Sequence, residues 1–327
     1  MDIKNRRGCV MKKQQQTVTG GAVLKSGFQR KLGIIGNNWE LYLMVIPVLV
    51  YYAIFCYWPM YGSLIAFQDY NLFNGMAGSE WIGLENFDSF LNNPYFARTM
   101  KNTLTISVTS LFFSFPMPII LALLINEVRN KVFARSVQTI TYMPHFISVV
   151  IICSMVRMFV GEGGIINQLF QVFGYDGADM LSKPGLFVPI YIISGIWQEI
   201  GWNSIIYLAA LSSIDQELYE AADIDGAGKL AQTWHITIPG ILPTIIILFI
   251  MKMGSMLSVG YEKILLLYNQ GIYETADVIS TYTYRLGLVN KEFGLSTAVG
   301  IFNSIINIIL LTVTNKICDK LNGTSLF

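Results

Sequence analysis

The chain has 327 residues, 53% of them hydrophobic and 13% charged, with a formal net charge of +1. Soluble domains carry about a quarter of charged residues, so this composition excludes an ordinary soluble enzyme, and the balance of charge points to no nucleic-acid partner. The four cysteines, Cys9, Cys56, Cys153 and Cys318, are far apart and lack any Cys-x-x-Cys spacing, which leaves neither a disulfide framework nor a zinc pattern.

Residues 1–38 read as a basic cytoplasmic tail, with Lys4, Arg6, Arg7, Lys12, Lys13, Lys25, Arg30 and Lys31 in a polar context. This stretch lacks the apolar core and small-residue cleavage site of a secretory signal. Residues 39–327 then form one transmembrane domain. Six apolar blocks fall near 41–67, 103–126, 138–160, 186–211, 241–260 and 297–317. Each is long enough for the ~20 residues that cross a bilayer. Only helices or closed barrels can cross, and blocks of this length are too long for barrel strands. The expected class is an all-α membrane protein with six transmembrane helices. Prolines recur in or beside the blocks (Pro47, Pro59, Pro116, Pro118, Pro144, Pro189 and Pro243), and each can kink a helix around a cavity.

Lys and Arg set the orientation. With the N-terminus inside, the inner segments hold the tail cations plus Arg129, Lys131, Arg135, Lys229, Lys316 and Lys320. The outer segments hold Arg98, Lys183, Lys263, Arg285 and Lys291. The excess inside predicts a multi-pass protein of the cell membrane with both termini cytoplasmic. Segment 62–100 becomes a long external loop, and the segment from Tyr261 is external at first. Arg157 and Glu162, near the outer surface, read as interfacial anchors.

Polar groups inside apolar spans are costly and face a cavity or a neighbouring helix. The fourth block carries Trp197, Gln198, Glu199, Trp202 and Asn203. Glu199, Trp202 and Asn203 share one face at i, i+3, i+4, whereas Trp197 does not share it. Asn303 and Asn307 share a face of the sixth block. Tyr142 in the third and Lys252 in the fifth complete the set. With aromatic faces and amide or carboxylate groups available for binding, these residues are the expected substrate pathway.

Between the fourth and fifth blocks, residues 212–240 are polar. Leu218, Ala221 and Ala222 fall on one helical face, Ser213 and Gln216 form a candidate capping box, and Asp225-Gly226 signals a turn. A second short helix is expected from Lys229 until Pro239 stops it. The hairpin has small residues on an exposed face, so another protein's backbone can come close.

Glu220-Ala221-Ala222, then Gly226, then Ile236-Thr237-Ile238-Pro239 resembles the coupling-loop motif of ABC importer permeases, with Ile238 where Leu is usual. The triplet Asp225-Gly226-Ala227 and Leu242-Pro243 look like the carbohydrate-uptake branch. So does the run Pro59–Phe67, and Trp81-Ile82-Gly83-Leu84-Glu85-Asn86-Phe87 resembles the patch before that family's second helix. Leu267-Tyr268-Asn269 and Tyr273–Tyr282 look like permeases for oligosaccharides and polysaccharide fragments in Gram-positive bacteria. The resemblance covers residue 40 to the end. It implies the type I importer permease fold with a cytoplasmic coupling-helix hairpin, whose Glu220, Ala221, Ala222, Asp225, Gly226, Ile236 and Pro239 engage an ATPase. It further implies a second related permease, two cytoplasmic ATPase subunits, an extracellular solute-binding lipoprotein and an oligosaccharide substrate, all in contact with membrane lipid where appropriate. No cofactor is expected on this chain; ATP and Mg would be held by the ATPase.

Two other readings are weaker. Asp223-Ile224-Asp225 has the Asp-x-Asp spacing of a membrane glycosyltransferase, but two carboxylates alone hold a hard cation poorly. A passive sugar channel accounts for the spans and leaves the hairpin without a role. Gly226-Ala227-Gly228-Lys229 is no phosphate loop, since Asp223 and Leu230 stand where Gly and Ser or Thr are required. His145 and His235 belong to no catalytic or metal-ligand cluster in the sequence.

Overall fold

The computed structural model describes residues 39–327; the basic tail expected over 1–38, with Cys9, lies outside them. The chain divides into two units, Met1–Tyr61 and Gly62–Phe327. In the first, α1 (Trp39–Tyr52) runs through a π turn at Ala53–Tyr57 into Trp58–Met60. No residue of α1 is buried. A helix apolar on every side suits hydrocarbon or another apolar helix. The π turn lies just before Pro59, whose ring would otherwise press on the carbonyl four residues back.

The second unit opens with structure where a loop was expected. Strands β1 (Gln68–Asp69) and β2 (Glu80–Trp81) pair antiparallel, Gln68 opposite Trp81. This two-stranded ribbon is a small departure from an all-α chain. Gly83 has φ +63°, which fits glycine and lets the chain turn into α2 (Glu85–Leu91). The Asn86 Nδ2 then donates to the carbonyls of Ala66 at 2.9 Å and Gln68 at 3.1 Å, locking the ribbon down. Gly294 sits against it: a Cβ there would fall 2.8 Å from the Gln68 carbonyl oxygen.

Asn93 caps α3 (Pro94–Ser114), its side chain accepting from the Tyr95 N–H at 2.9 Å, with Pro94 in the first turn where its missing N–H costs nothing. The helix continues into α4 (Pro116–Glu127), a 34-residue apolar span in all. Asn130 caps α5 (Lys131–Tyr142) by accepting from the N–H groups of Val132 and Phe133.

The third block, expected as one span over 138–160, is broken. A 3-10 turn at Met143–Phe146 separates α5 from α6 (Val149–Val160). Pro144 cannot donate to the ladder and crowds the residue before it, and Ser148 restarts the helix by accepting from the Ile151 N–H. After α7 (Ile165–Gln171) comes α8 (Pro184–Leu211), 28 residues long, which packs on α4 and α5. Without a water-driven force between helices in lipid, close approach is what binds them. Gly201 provides it, since a Cβ there would collide with the Thr141 carbonyl.

Next are α9 (Gln216–Ile224), α10 (Lys229–Gln232) and α11 (Ile238–Met253). Pro239 does not end a helix. The stretch Lys229–Met253 is continuous, with a π turn at Thr233–Thr237 just before the proline. The wider turn relieves the clash that a proline imposes on a regular helix. Finally come α12 (Tyr261–Leu267), α13 (Ile279–Tyr284) and α14 (Phe293–Asn322). Among the described residues, five helical stretches are long and apolar enough to cross a membrane: Trp39–Phe67, Pro94–Glu127, Val149–Gln171, Lys229–Met253 and Phe293–Asn322. The sixth, Pro184–Leu211, has the length and carries the polar cluster in its middle.

The segment between α12 and α14 is pinned to α3 by a buried charge. Asp277 is fully buried; its carboxylate accepts from Arg285 at 2.6 and 3.2 Å and from the Thr281 hydroxyl at 2.8 Å, with Arg98 at 3.8 Å. Asn102 Nδ2 donates to the Asp277 and Glu274 carbonyls. Arg157 is exposed, and its guanidinium donates to the Leu266 carbonyl at 2.6 Å and to that of Tyr268 at 3.3 Å, tying α6 to α12. A core of Ile106, Ile152, Val156, Phe187, Ile264 and Leu267 packs between these elements.

Candidate functional site

The polar hairpin is well built. Its cap is Asp215, whose carboxylate accepts from the Glu217 N–H at 3.0 Å. The capping box expected at Ser213 does not form, because the Ser213 hydroxyl turns back to the Ala210 carbonyl at the end of α8. At the other end, Gly226 has φ +75°. The Ala227 N–H donates to the Ala222 carbonyl at 2.9 Å and the Gly226 N–H to that of Asp223 at 3.1 Å. These two bonds are a Schellman closure, and they need the left-handed residue that glycine supplies.

Gln232, buried at 3% exposure, holds the two arms together. Its amide donates to the Asp223 carboxylate and to the Ala227 carbonyl, and its oxygen accepts from Lys229 Nζ at 3.1 Å. Below it, the Tyr219 hydroxyl meets the buried Thr237 hydroxyl at 3.0 Å. Nothing in the sequence motif marked Gln232; only its position three residues after Lys229 hinted at a helical partner. Asp223 is thus engaged inside the hairpin.

The outer face presents Glu220, Ala221, Asp225, Gly226 and Pro239 exposed, with Ala222 and Ile236 half-buried. Large apolar side chains stand beside them: Ile224 and Leu230 are each 87% exposed and Trp234 is 70% exposed. Apolar groups this bare on a polar hairpin are the chemistry of an interaction surface, for a protein or for lipid.

The second region is a cavity of about 610 Å³ between α3, α4, α8 and α11. Its volume is that of an ordinary small-molecule site. Of the expected pathway residues it takes in Glu199, Asn203 and Lys252. It also takes in Gln198 of the fourth block's polar cluster, and adds Ser110, Tyr191 and Lys263, which the sequence pattern did not mark as pathway. Lys263 was placed outside the membrane, yet it is only 8% exposed; its short helix α12 folds back among the spans.

The other expected residues lie elsewhere. Trp202 stacks on His145, ring centroids 4.4 Å apart at an interplanar angle of 3°. His145 Nδ1 in turn sits 3.0 Å from Glu199 Oε2. His145 therefore joins the Glu199 face, a link between residues 54 positions apart in the chain. Trp197 and Tyr142 are outside the cavity lining, the first exposed and the second half-buried. Asn307 bridges chain segments: its oxygen accepts from the Leu257 N–H and its amide donates to the Ser258 hydroxyl, both at 3.0 Å. Asn303, also outside the lining, has a buried oxygen with no partner among the described residues. Among those residues, no group of three or more His, Cys, Asp or Glu side chains is arranged to hold a metal ion.

Residues 114–320 match the family described as binding-protein-dependent transport system inner membrane component. The chain is 44% identical over 288 residues to YteP, the polygalacturonan/rhamnogalacturonan transport system permease protein of Bacillus subtilis (strain 168), covering 88% of this chain and 90% of that one. It is 28% identical to the arabinooligosaccharides transport system permease protein AraP of the same organism, covering 86% of this chain and 88% of AraP. Among solved structures, one chain of a bacterial ABC transporter for import of the acidic polysaccharide alginate superposes with a TM-score of 0.83 at 43% identity, over 90% of this chain and 99% of that one. A second structure, of the alginate transporter in complex with an alginate pentasaccharide-bound periplasmic protein, gives 0.84 at 43% identity, over 91% of this chain and 100% of that one.

Proposed function

The chain belongs to the family of binding-protein-dependent transport system inner membrane components, and from that premise we propose that it is the permease through which an ABC importer takes up an oligosaccharide. It is a membrane-integral transport subunit working with a binding protein and a separate ATPase, and the glycosyltransferase and passive-channel readings are set aside by family membership. The observation that carries the finer reading is the rigid hairpin, closed by Gly226 and strapped by Gln232, with bare apolar groups beside Glu220.

In this reading the hairpin seats in a cleft of the cytoplasmic ATPase, and both termini lie on that side. Glu220 pairs with a basic residue of the ATPase. A second, related permease completes the pathway, two ATPase subunits sit below, and ATP with Mg is held there. Lipid covers the outer helices. ATP-driven closure of the ATPases moves the hairpin, and through the continuous helix Lys229–Met253 that motion reaches the cavity, which carries Lys252 on the same helix. The cavity opens outward, receives the sugar from the binding protein, and returns when ATP is hydrolysed. Relatives named for polygalacturonan, arabinooligosaccharides and alginate support a sugar of several units. The test is uptake of labelled oligosaccharide pools by cells with and without this chain. Loss of uptake of one pool supports the reading; identical uptake of every pool ends it.

A further inference from the structure

The cavity's charged lining is unbalanced. It contains three charged side chains, Glu199, Lys252 and Lys263, so two ammonium groups face one carboxylate. Neither lysine lies within ion-pair distance of any carboxylate among the described residues. Glu199 is engaged elsewhere, at 3.0 Å from His145. A cation held inside a membrane domain without a partner is costly, and such groups mark a pathway or await a counter-ion.

Lys263 is the sharper case. It is more than nine-tenths buried. Its Nζ donates to the Tyr191 carbonyl at 3.3 Å and lies 5.1 Å from the centroid of the Tyr191 ring. An ammonium has three N–H donors, and that single bond leaves two. The neighbouring Gly195 keeps the space in front of it clear: a Cβ at that position would lie 3.3 Å from Lys263 Nζ, and Gly195 itself lines the cavity.

Building on the oligosaccharide reading, we propose that Lys252 and Lys263 bind the carboxylate of an acidic sugar, and that this cavity selects carboxylated oligosaccharides over neutral ones of the same size. The ligand supplies the negative charge that the lining lacks. A neutral sugar leaves the excess cation uncompensated in a low-dielectric interior, and so gains less on entering. Tyr191 and Asn203 supply the aromatic face and the amide that a sugar ring requires of its site.

The test is uptake of labelled trigalacturonate and of its carboxyl-reduced, neutral counterpart by cells carrying the full transporter. Lys252→Gln and Lys263→Gln are each expected to lower the ratio of charged to neutral trisaccharide uptake by about tenfold. Lys263→Arg, which keeps the charge, is expected to restore much of the loss, and this rescue separates charge recognition from a folding defect. The binding protein is the same in every strain, so a change in the charged-to-neutral ratio belongs to the permease. An unchanged ratio in both glutamine variants overturns the proposal while leaving oligosaccharide import standing. Failure of the wild type to import either charged trisaccharide, trigalacturonate or that of alginate, overturns the proposal, and identical uptake of every oligosaccharide pool with and without this chain overturns the oligosaccharide reading as well. Gly195→Val, which fills the space before Lys263, is expected to act like Lys263→Gln; charged uptake at the wild-type level in that variant counts against the assignment of Lys263.

Discussion

His145 Nδ1 lies 3.0 Å from Glu199 Oε2, and the same imidazole stacks on Trp202. This pair joins the break in the third span to the middle of the fourth. The 3-10 turn at Met143–Phe146 closes with the Ile147 N–H on the Pro144 carbonyl, and the side-chain hydrogen bond and the stack hold it against the fourth span. His145→Ala should destabilise the purified transporter by about 1–2 kcal/mol, the size of a hydrogen bond to a charged group. A double-mutant cycle with Glu199→Gln, read by thermal unfolding in detergent, should give a coupling near 1 kcal/mol. Additive effects would mean that the two side chains do not support one another.

Gly226→Ala should strain the hairpin closure by about 1–2 kcal/mol, since the Schellman bonds require φ near the observed +75°. Together with Glu220→Ala it is expected to uncouple ATP hydrolysis from uptake while membrane insertion stays normal. ATPase activity and labelled-sugar uptake, measured on the same membranes, check this. Undiminished transport by both variants would remove the docking role.

Gln232→Ala should loosen the hairpin without touching its outer face. It leaves the Asp223 carboxylate and the Ala227 carbonyl without their donor, a loss of about 1–3 kcal/mol where the groups are buried. Faster amide exchange at Ala222–Gln232, with helices α8 and α11 unchanged, is the expected signature. Gln232→Glu should be worse, because it sets a second carboxylate against Asp223.

Gly201→Val should be among the most damaging single changes in the membrane region. Backbone, not a movable side chain, occupies the space a Cβ would take, so α5 and α8 must separate. Overpacking of this kind costs about 1–3 kcal/mol or more. The yield of folded transporter and its melting temperature report it, and a variant as stable as wild type would show that the helices approach less closely than this.

Asp277→Asn tests the clasp between α3 and the segment before α14. The carboxylate is fully buried between Arg285 and Arg98, and neutralising it strands two guanidinium groups. Breaking such a buried pair costs about 3–5 kcal/mol. Limited proteolysis of the purified transporter should cut earlier within 268–290 in the variant.

The order of residues along the chain settled the features that obey local rules. Runs of apolar side chains of fixed minimum length mark membrane helices, because an unsatisfied peptide group cannot stay in hydrocarbon. The Glu220–Pro239 pattern marked the hairpin, because caps and turns are chosen by residues a few positions apart. Tertiary structure alone decided the rest. That Pro144 would break its span whereas Pro239 would pass through a π turn depends on what packs around each. That Asn307 would serve the backbone of Leu257, that Gln232 would hold the hairpin, and that His145 would find Glu199 are contacts between distant positions. Lys263 shows the reason most plainly. A lysine in a polar stretch reads as exposed from its neighbours in sequence, and only the folding of α12 back among the spans carries its charge into the cavity.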